Sequence, residues 1–161
     1  MSESDKVQPG HAVTTAWQFA EQVPHSKDLG MQVIGVEGEQ VCMRLSPQSW
    51  MRADDDVQDI CTSVLYSLAD SASGLAVFAA VRELKPIATL DLRMDYLRST
   101  AGHPALLATA YCHHLSEEVA FVRCEIHAEG EQQPVAVSNA TFMRGTQNKR
   151  FQAAIERAGG A

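Results

Sequence analysis

Residues 57–83 read VQDICTSVLYSLADSASGLAVFAAVRE, and the fold turns on this stretch. Between Ile60 and Val81 it carries one charge, Asp70, near its middle. Val64, Leu65, Leu68, Ala69, Ala72, Leu75, Ala76 and Ala79 recur at helical spacing. The other positions are mostly small (Ser63, Ser67, Ser71, Ser73, Gly74), so little here suits a solvent face. The pattern predicts a helix buried on most sides, with the rest of the chain wrapped around it. Its length would also cross a bilayer, but Thr62, the four serines and Asp70 oppose insertion. A central Asp alone costs about 2.5–3.5 kcal/mol on insertion scales, and the membrane reading is rejected.

Asp70 poses the chemical question. An ionised carboxylate in apolar surroundings is costly unless it is paired, hydrogen-bonded or kept partly neutral. It could cap a helix break, which Ser71 and Gly74 would permit, or face an exposed stripe. A functional acid is the favoured reading, because carboxylates in apolar pockets are candidates for acid–base chemistry. Just upstream, Asp54, Asp55 and Asp56 suit the N-cap and the positive end of the helix dipole. No His or Glu stands at helical spacing beside them, so a metal site is not expected.

Working outward toward the N-terminus, His11–Gln22 has helical spacing in Val13, Ala16, Trp17 and Ala20, and Val23-Pro24-His25 ends it. Met31, Val33 and Ile34 form a short strand, Glu37-Gly38-Glu39 a turn, and Val41, Met43 and Leu45 a second strand, together a hairpin. Beyond the helix, Ala88, Leu90, Leu92, Met94 and Tyr96 alternate with Thr89, Asp91, Arg93 and Asp95, as in a sheet with one buried face. Further strands follow at Leu106–Leu115, around Ala120–Ala128 and at Pro134–Arg144, which predicts a four-strand meander. A short helix is expected in the tail, on Phe151, Ala154 and Ile155. On strand Leu106–Leu115, Cys112 and His114 should share a side, in a structural role.

The chain has 161 residues, 45% of them hydrophobic, enough for one domain with a real core: 1–161, with its centre at about 24–145. A net charge of −7 disfavours nucleic acid, whose phosphates need a basic surface. The start MSESDKVQPG is polar, unlike a signal peptide, and Cys42, Cys61, Cys112 and Cys124 form no CxxC pair. Free thiols in a reducing cytoplasm are expected. One-sided strands around a long apolar helix make an α+β arrangement, a curved antiparallel sheet wrapped around a central helix.

Two motifs sharpen this. Ser67-Leu68-Ala69-Asp70-Ser71-Ala72, with Gly74-Leu75-Ala76, resembles the SLADTA helix of PaaI-like acyl-CoA thioesterases. Thr89-Leu90-Asp91-Leu92-Arg93-Met94-Asp95-Tyr96-Leu97-Arg98 is similar to the family's TVDLNVNYLRPA strand. The resemblance covers about Pro24–Gly145 and implies the hotdog fold, hydrolysis of an acyl-CoA, no cofactor and no metal. It also implies a homodimer with two long helices side by side, or a tetramer of such dimers.

In that family a catalytic carboxylate follows nine positions after the His of a His-Gly-Gly motif. Counting back from Asp70, the motif reads Cys61-Thr62-Ser63 here. By the resemblance, Asp70 is general base or nucleophile, and the Thr62 N–H is the oxyanion donor. Cys61 and Ser63 flank that donor, and Asp55 stands where the family has an Asn that helps hold the thioester. Thr89 of the partner chain would orient the water, and Arg98 would meet a CoA phosphate. Two departures matter: a β-branched Thr62 narrows access where the family has glycine, and an ionised Asp55 cannot donate.

Geometry adds a constraint of its own. Thr62 and Asp70 are eight residues apart, about 12 Å along a helix at ~1.5 Å per residue. A reacting carbonyl must lie roughly 3 Å from both its water and its oxyanion donor. One helix cannot offer both, so a site using both joins Asp70 of one subunit to the helix start of another. The alternative function is a non-catalytic acyl-CoA or small-ligand binder, which the altered Cys61-Thr62-Ser63 would suit. A hotdog dehydratase ranks third, since no His lies in the long helix or just before it.

Overall fold

The structure, a computed structural model, describes residues 11–53, 56, 58–81 and 85–146. Asp55 and the expected C-terminal helix lie outside these residues. Two helices, α1 (His11–Gln22) and α2 (Pro24–Asp28), precede a hairpin of β1 (Met31–Glu37) and β2 (Gln40–Leu45). A short 3-10 turn at Ser49–Met51 leads to the long helix α3 (Thr62–Val81). Strands β3 (Ile87–Tyr96), β4 (Leu106–Leu115), β5 (Val119–Ala128) and β6 (Pro134–Arg144) follow.

The six strands form one antiparallel sheet in the order β1-β2-β4-β5-β6-β3, and α3 lies against its inner face, across β2, β4 and β5. That face follows the sequence alternation closely. Val41, Met43 and Leu45, then Leu106, Ala108 and Ala110, then Val122, Cys124 and Ile126 are all buried, against Leu65, Leu68, Ala72 and Ala76 of the helix. Each large aliphatic side chain so buried contributes about 1.5–3 kcal/mol. Small residues on both sides let the helix approach the sheet closely, which explains why α3 could be so poor in bulk and still be the core. All four cysteines are free thiols, and burial pushes the Cys124 thiol up to about 12.

The strand order corrects the expected four-strand meander. β4, β5 and β6 do meander, but β3 pairs with β6 at the sheet edge and β4 pairs with β2. Burial explains the difference: β3 buries only Leu92, whereas β4 buries Leu106, Ala108, Ala110 and Cys112 and belongs in the middle. The chain crosses back through residues 97–105, and Asp59 pins that crossing to the approach of α3. Its Oδ1 accepts from Ser99 Oγ at 2.8 Å, Thr100 N at 2.6 Å and Thr100 Oγ1 at 3.0 Å. Thr100 Oγ1 in turn accepts from Ile60 N at 2.8 Å. The Ser99 hydroxyl above all, and then the Thr100 amide, hold the Asp59 carboxyl below the usual range.

On the other side of α3, α1 seats Ala16 in the core. Glu21 anchors it by accepting from Trp17 Nε1 at 2.8 Å and from Val33 N of edge strand β1 at 3.3 Å. α2 begins directly after, with Pro24 at its first position, where a missing N–H costs nothing.

Candidate active site

Ser63, Ser67, Asp70, Ser71 and Gly74 form the side of α3 that is not fully buried in the core. α1 and α2 cross part of this side, and between them, α3, β3 and β6 lies a pocket of about 350 Å³. Its inner end is apolar, with Ala20, Leu75, Phe78, Ile87 and Phe142. Its other end holds His25, Ser67, Asp70 and Thr89. Asp70 is therefore half-buried on a partly exposed stripe and at the same time part of a pocket.

The partner of Asp70 is Thr89, whose Oγ1 donates to Asp70 Oδ1 at 2.8 Å. Thr89 thus lies beside Asp70 of its own chain. Here the structure corrects the alternation, since Thr89 leaves the charged face to which strict period-two spacing assigned it. The cause is a β-bulge between Thr89 and Asp91, opposite Phe142 and Thr141 of β6. Leu90 is the extra residue and is 53% exposed, so the inward set switches from Ile87 and Thr89 to Leu92 and Met94. Bulges near sheet edges commonly re-aim a side chain in this way.

Gly74 sits one turn beyond Asp70, facing β3 and β6. A Cβ there would meet Ile87 Cδ1 at 3.7 Å and Phe142 Cε1 at 3.8 Å, ordinary contacts. Gly74→Ala is therefore expected to raise stability by about 0.5–1 kcal/mol, the usual helix-interior difference. A urea melt checks this: a lower midpoint would mean the pocket wall cannot take a methyl group.

The other expected site residues are not at this pocket. Cys61 precedes α3, its carbonyl accepting from Val64 N at 2.9 Å, so that Thr62 is the first helical residue. Thr62 and Ser63 are exposed. Tyr96 Oη donates to Thr62 O at 3.4 Å and Tyr66 Oη to Leu92 O at 2.9 Å, tying the start of α3 to β3. Arg98 is exposed on the loop after β3, its amide donating to Val135 O. None of Cys61, Thr62, Ser63 or Arg98 lines the pocket of Asp70.

His25 is the pocket residue that sequence reasoning missed. Its Nε2 lies 3.1 Å from Ser67 Oγ. The five-residue α2 that carries it is too short to show periodicity, and no local signal ties it to α3. On β4, a bulge between Cys112 and His114 separates two residues expected on one side: Cys112 turns into the core and His114 is exposed. Burial pushes the Cys112 thiol up. Among the described residues no three His, Cys, Asp or Glu side chains converge as metal ligands would.

Comparison with known proteins places this geometry. Residues 60–135 match the family model of the thioesterase superfamily. That span holds α3 and the strands β3, β4 and β5. The chain is 29% identical over 140 residues to the medium/long-chain acyl-CoA thioesterase YigI of Escherichia coli K12, covering 79% of this chain and 89% of that one. A variant of the phenylacetic acid degradation protein PaaI from Thermus thermophilus superposes with a TM-score of 0.65 at 28% identity, over 75% of this chain and 98% of that one. The PaaI protein of Escherichia coli superposes at 0.70 with 24% identity, over 83% and 95%. The wrapped sheet and central helix are thus the hotdog fold of PaaI-like thioesterases.

A pocket of this make-up can do acid–base chemistry at its polar end. The Thr89 hydroxyl fixes one oxygen of the Asp70 carboxylate, which leaves the other to take a proton. The apolar end can hold a hydrocarbon.

Proposed function

We propose that the chain hydrolyses an acyl-CoA thioester to a free acid and CoA, as a homodimer in the cytoplasm. The observation that carries this reading is the Thr89–Asp70 hydrogen bond at the polar end of a pocket whose other end is apolar. In the proposed reaction the acyl chain lies against Leu75, Phe78 and Phe142, and the thioester carbonyl sits beside Asp70. Asp70 takes a proton from water as the oxygen attacks the carbonyl carbon, or attacks that carbon itself to give a mixed anhydride that water then hydrolyses to the free acid. The tetrahedral oxyanion rests on the N–H of Thr62 at the positive end of a helix from the second subunit, and then expels CoA as thiolate. Arg98 of either chain is available to a CoA phosphate.

Two features support a dimer. Helix rise separates Thr62 from Asp70 within one chain, as above. In addition, among the described residues the ten-residue β3 has no partner on its outer side, beside exposed Leu90, Tyr96 and Leu97, the kind of edge another strand covers. The acyl group we favour is a linear chain of medium length, since the inner end is lined by aliphatic and aromatic side chains without a polar partner for a substituted ring.

CoA release from straight-chain acyl-CoAs of two to sixteen carbons and from phenylacetyl-CoA tests this. The expected result is the highest kcat/KM in the middle of the straight-chain series. The binder reading draws on Thr62, whose branched side chain crowds the donor that glycine would leave open. Micromolar binding of these ligands with no CoA release would establish it in place of hydrolysis.

A further inference from the structure

We propose that His25 donates a hydrogen bond from Nε2 to the oxygen of the substrate's thioester carbonyl, an assignment that rests on reading this pocket as the acyl-CoA site. The direction of the existing bond is the starting point. Ser67 Oγ donates its single hydrogen to Ser63 O at 3.0 Å. With that hydrogen on Ser63 O, the one shared by Ser67 Oγ and His25 Nε2, 3.1 Å apart, comes from the imidazole in its Nε2–H tautomer. His25 is thus held as a donor, with Ser67 as its acceptor.

Placement makes that donor useful. Ser67 precedes Asp70 by three residues on the same side of α3, a rise of about 4.5 Å. A carbonyl close enough to be attacked by water on Asp70 lies within reach of an imidazole parked at Ser67. Thr89 cannot serve as this donor, because its hydroxyl is committed to Asp70. His25 can, because it stands on α2, a separate short element, and gives up only a hydroxyl acceptor. As the carbonyl oxygen gains charge during attack, the bond to it becomes charge-assisted and stronger than the one to Ser67. The gain is thus larger in the transition state than in the ground state, which is the condition for raising kcat.

Two unreactive CoA analogues read this directly: a ketone in which CH2 replaces the thioester sulfur, and an S-alkyl thioether without a carbonyl. His25→Leu is expected to weaken ketone binding roughly three- to tenfold, leave thioether binding within about twofold, and lower kcat by about 10–100-fold, less than an enclosed oxyanion donor because the mouth is open. His25→Gln, whose amide N–H can occupy the Nε2 position, should restore most of both losses. Equal weakening of both analogues, or of neither, overturns the assignment and shows a packing role at most. The same pair of analogues is measured in Asp70→Asn, where His25 should still tell them apart even if Asp70 proves not to be the base. A wild-type protein that binds neither analogue overturns both readings.

Discussion

Asp70→Asn is expected to lower kcat/KM for the preferred acyl-CoA by about 10²–10⁴-fold, the range for losing a positioned general base, with the fold unchanged. Asparagine is the informative replacement. Its Oδ1 can still accept from Thr89 Oγ1, so the contact that now spans 2.8 Å survives, as does the shape of the pocket's polar end. What disappears is the second oxygen, replaced by an NH2 that cannot take a proton from water or attack a carbonyl. Asp70→Ala would confound this by leaving the Thr89 hydroxyl without its acceptor. The measurement is CoA release under kcat/KM conditions beside a thermal melt. Wild-type turnover by a folded Asp70→Asn protein would remove the carboxylate from the chemistry.

That the long helix carries a single acid among apolar and small residues was legible, and burial patterns of α3 depend mainly on local periodicity. The inner faces of β2, β4 and β5 were legible for the same reason: strict alternation needs no knowledge of partners. What failed was non-local. β3 has as clean an alternation as any strand, yet its pairing with β6 inserts a bulge at Leu90, and the bulge decides which way Thr89 points. No property of residues 87–96 alone encodes that register. Strand order failed similarly, since β3 can pair with either neighbour until burial of the whole sheet selects the edge for it. His25 was invisible because its place depends on how a five-residue helix docks across α3, forty-two residues away in sequence. In contrast, the separation of Thr62 from Asp70 follows from their spacing in the sequence, since a helix fixes distance along its axis.

That separation yields a sharper expectation than any single substitution. Thr62 is the first residue of α3 and follows Cys61, whose carbonyl already accepts from the helix. Proline is well tolerated at a first helical position, where the N–H has no intrahelical acceptor. Thr62→Pro should therefore fold with a nearly unchanged melting point and yet lose about 10²–10³ in kcat, the cost of one oxyanion donor. Asp70→Asn should also be inactive, but for want of a different group. If each site takes Asp70 from one subunit and the amide of residue 62 from the other, the two inactive proteins should complement each other. After equal amounts are unfolded and refolded together, half of the dimers are mixed. In each mixed dimer one site has both groups and the other has neither, so about a quarter of wild-type activity should return in a two-fold symmetric assembly. If a single chain supplied both groups, every site in the mixture would carry one lesion, and activity would stay at the average of the two parents. Recovery to a quarter therefore distinguishes a shared site from a private one, and it does so without any assumption about which acyl group is cleaved.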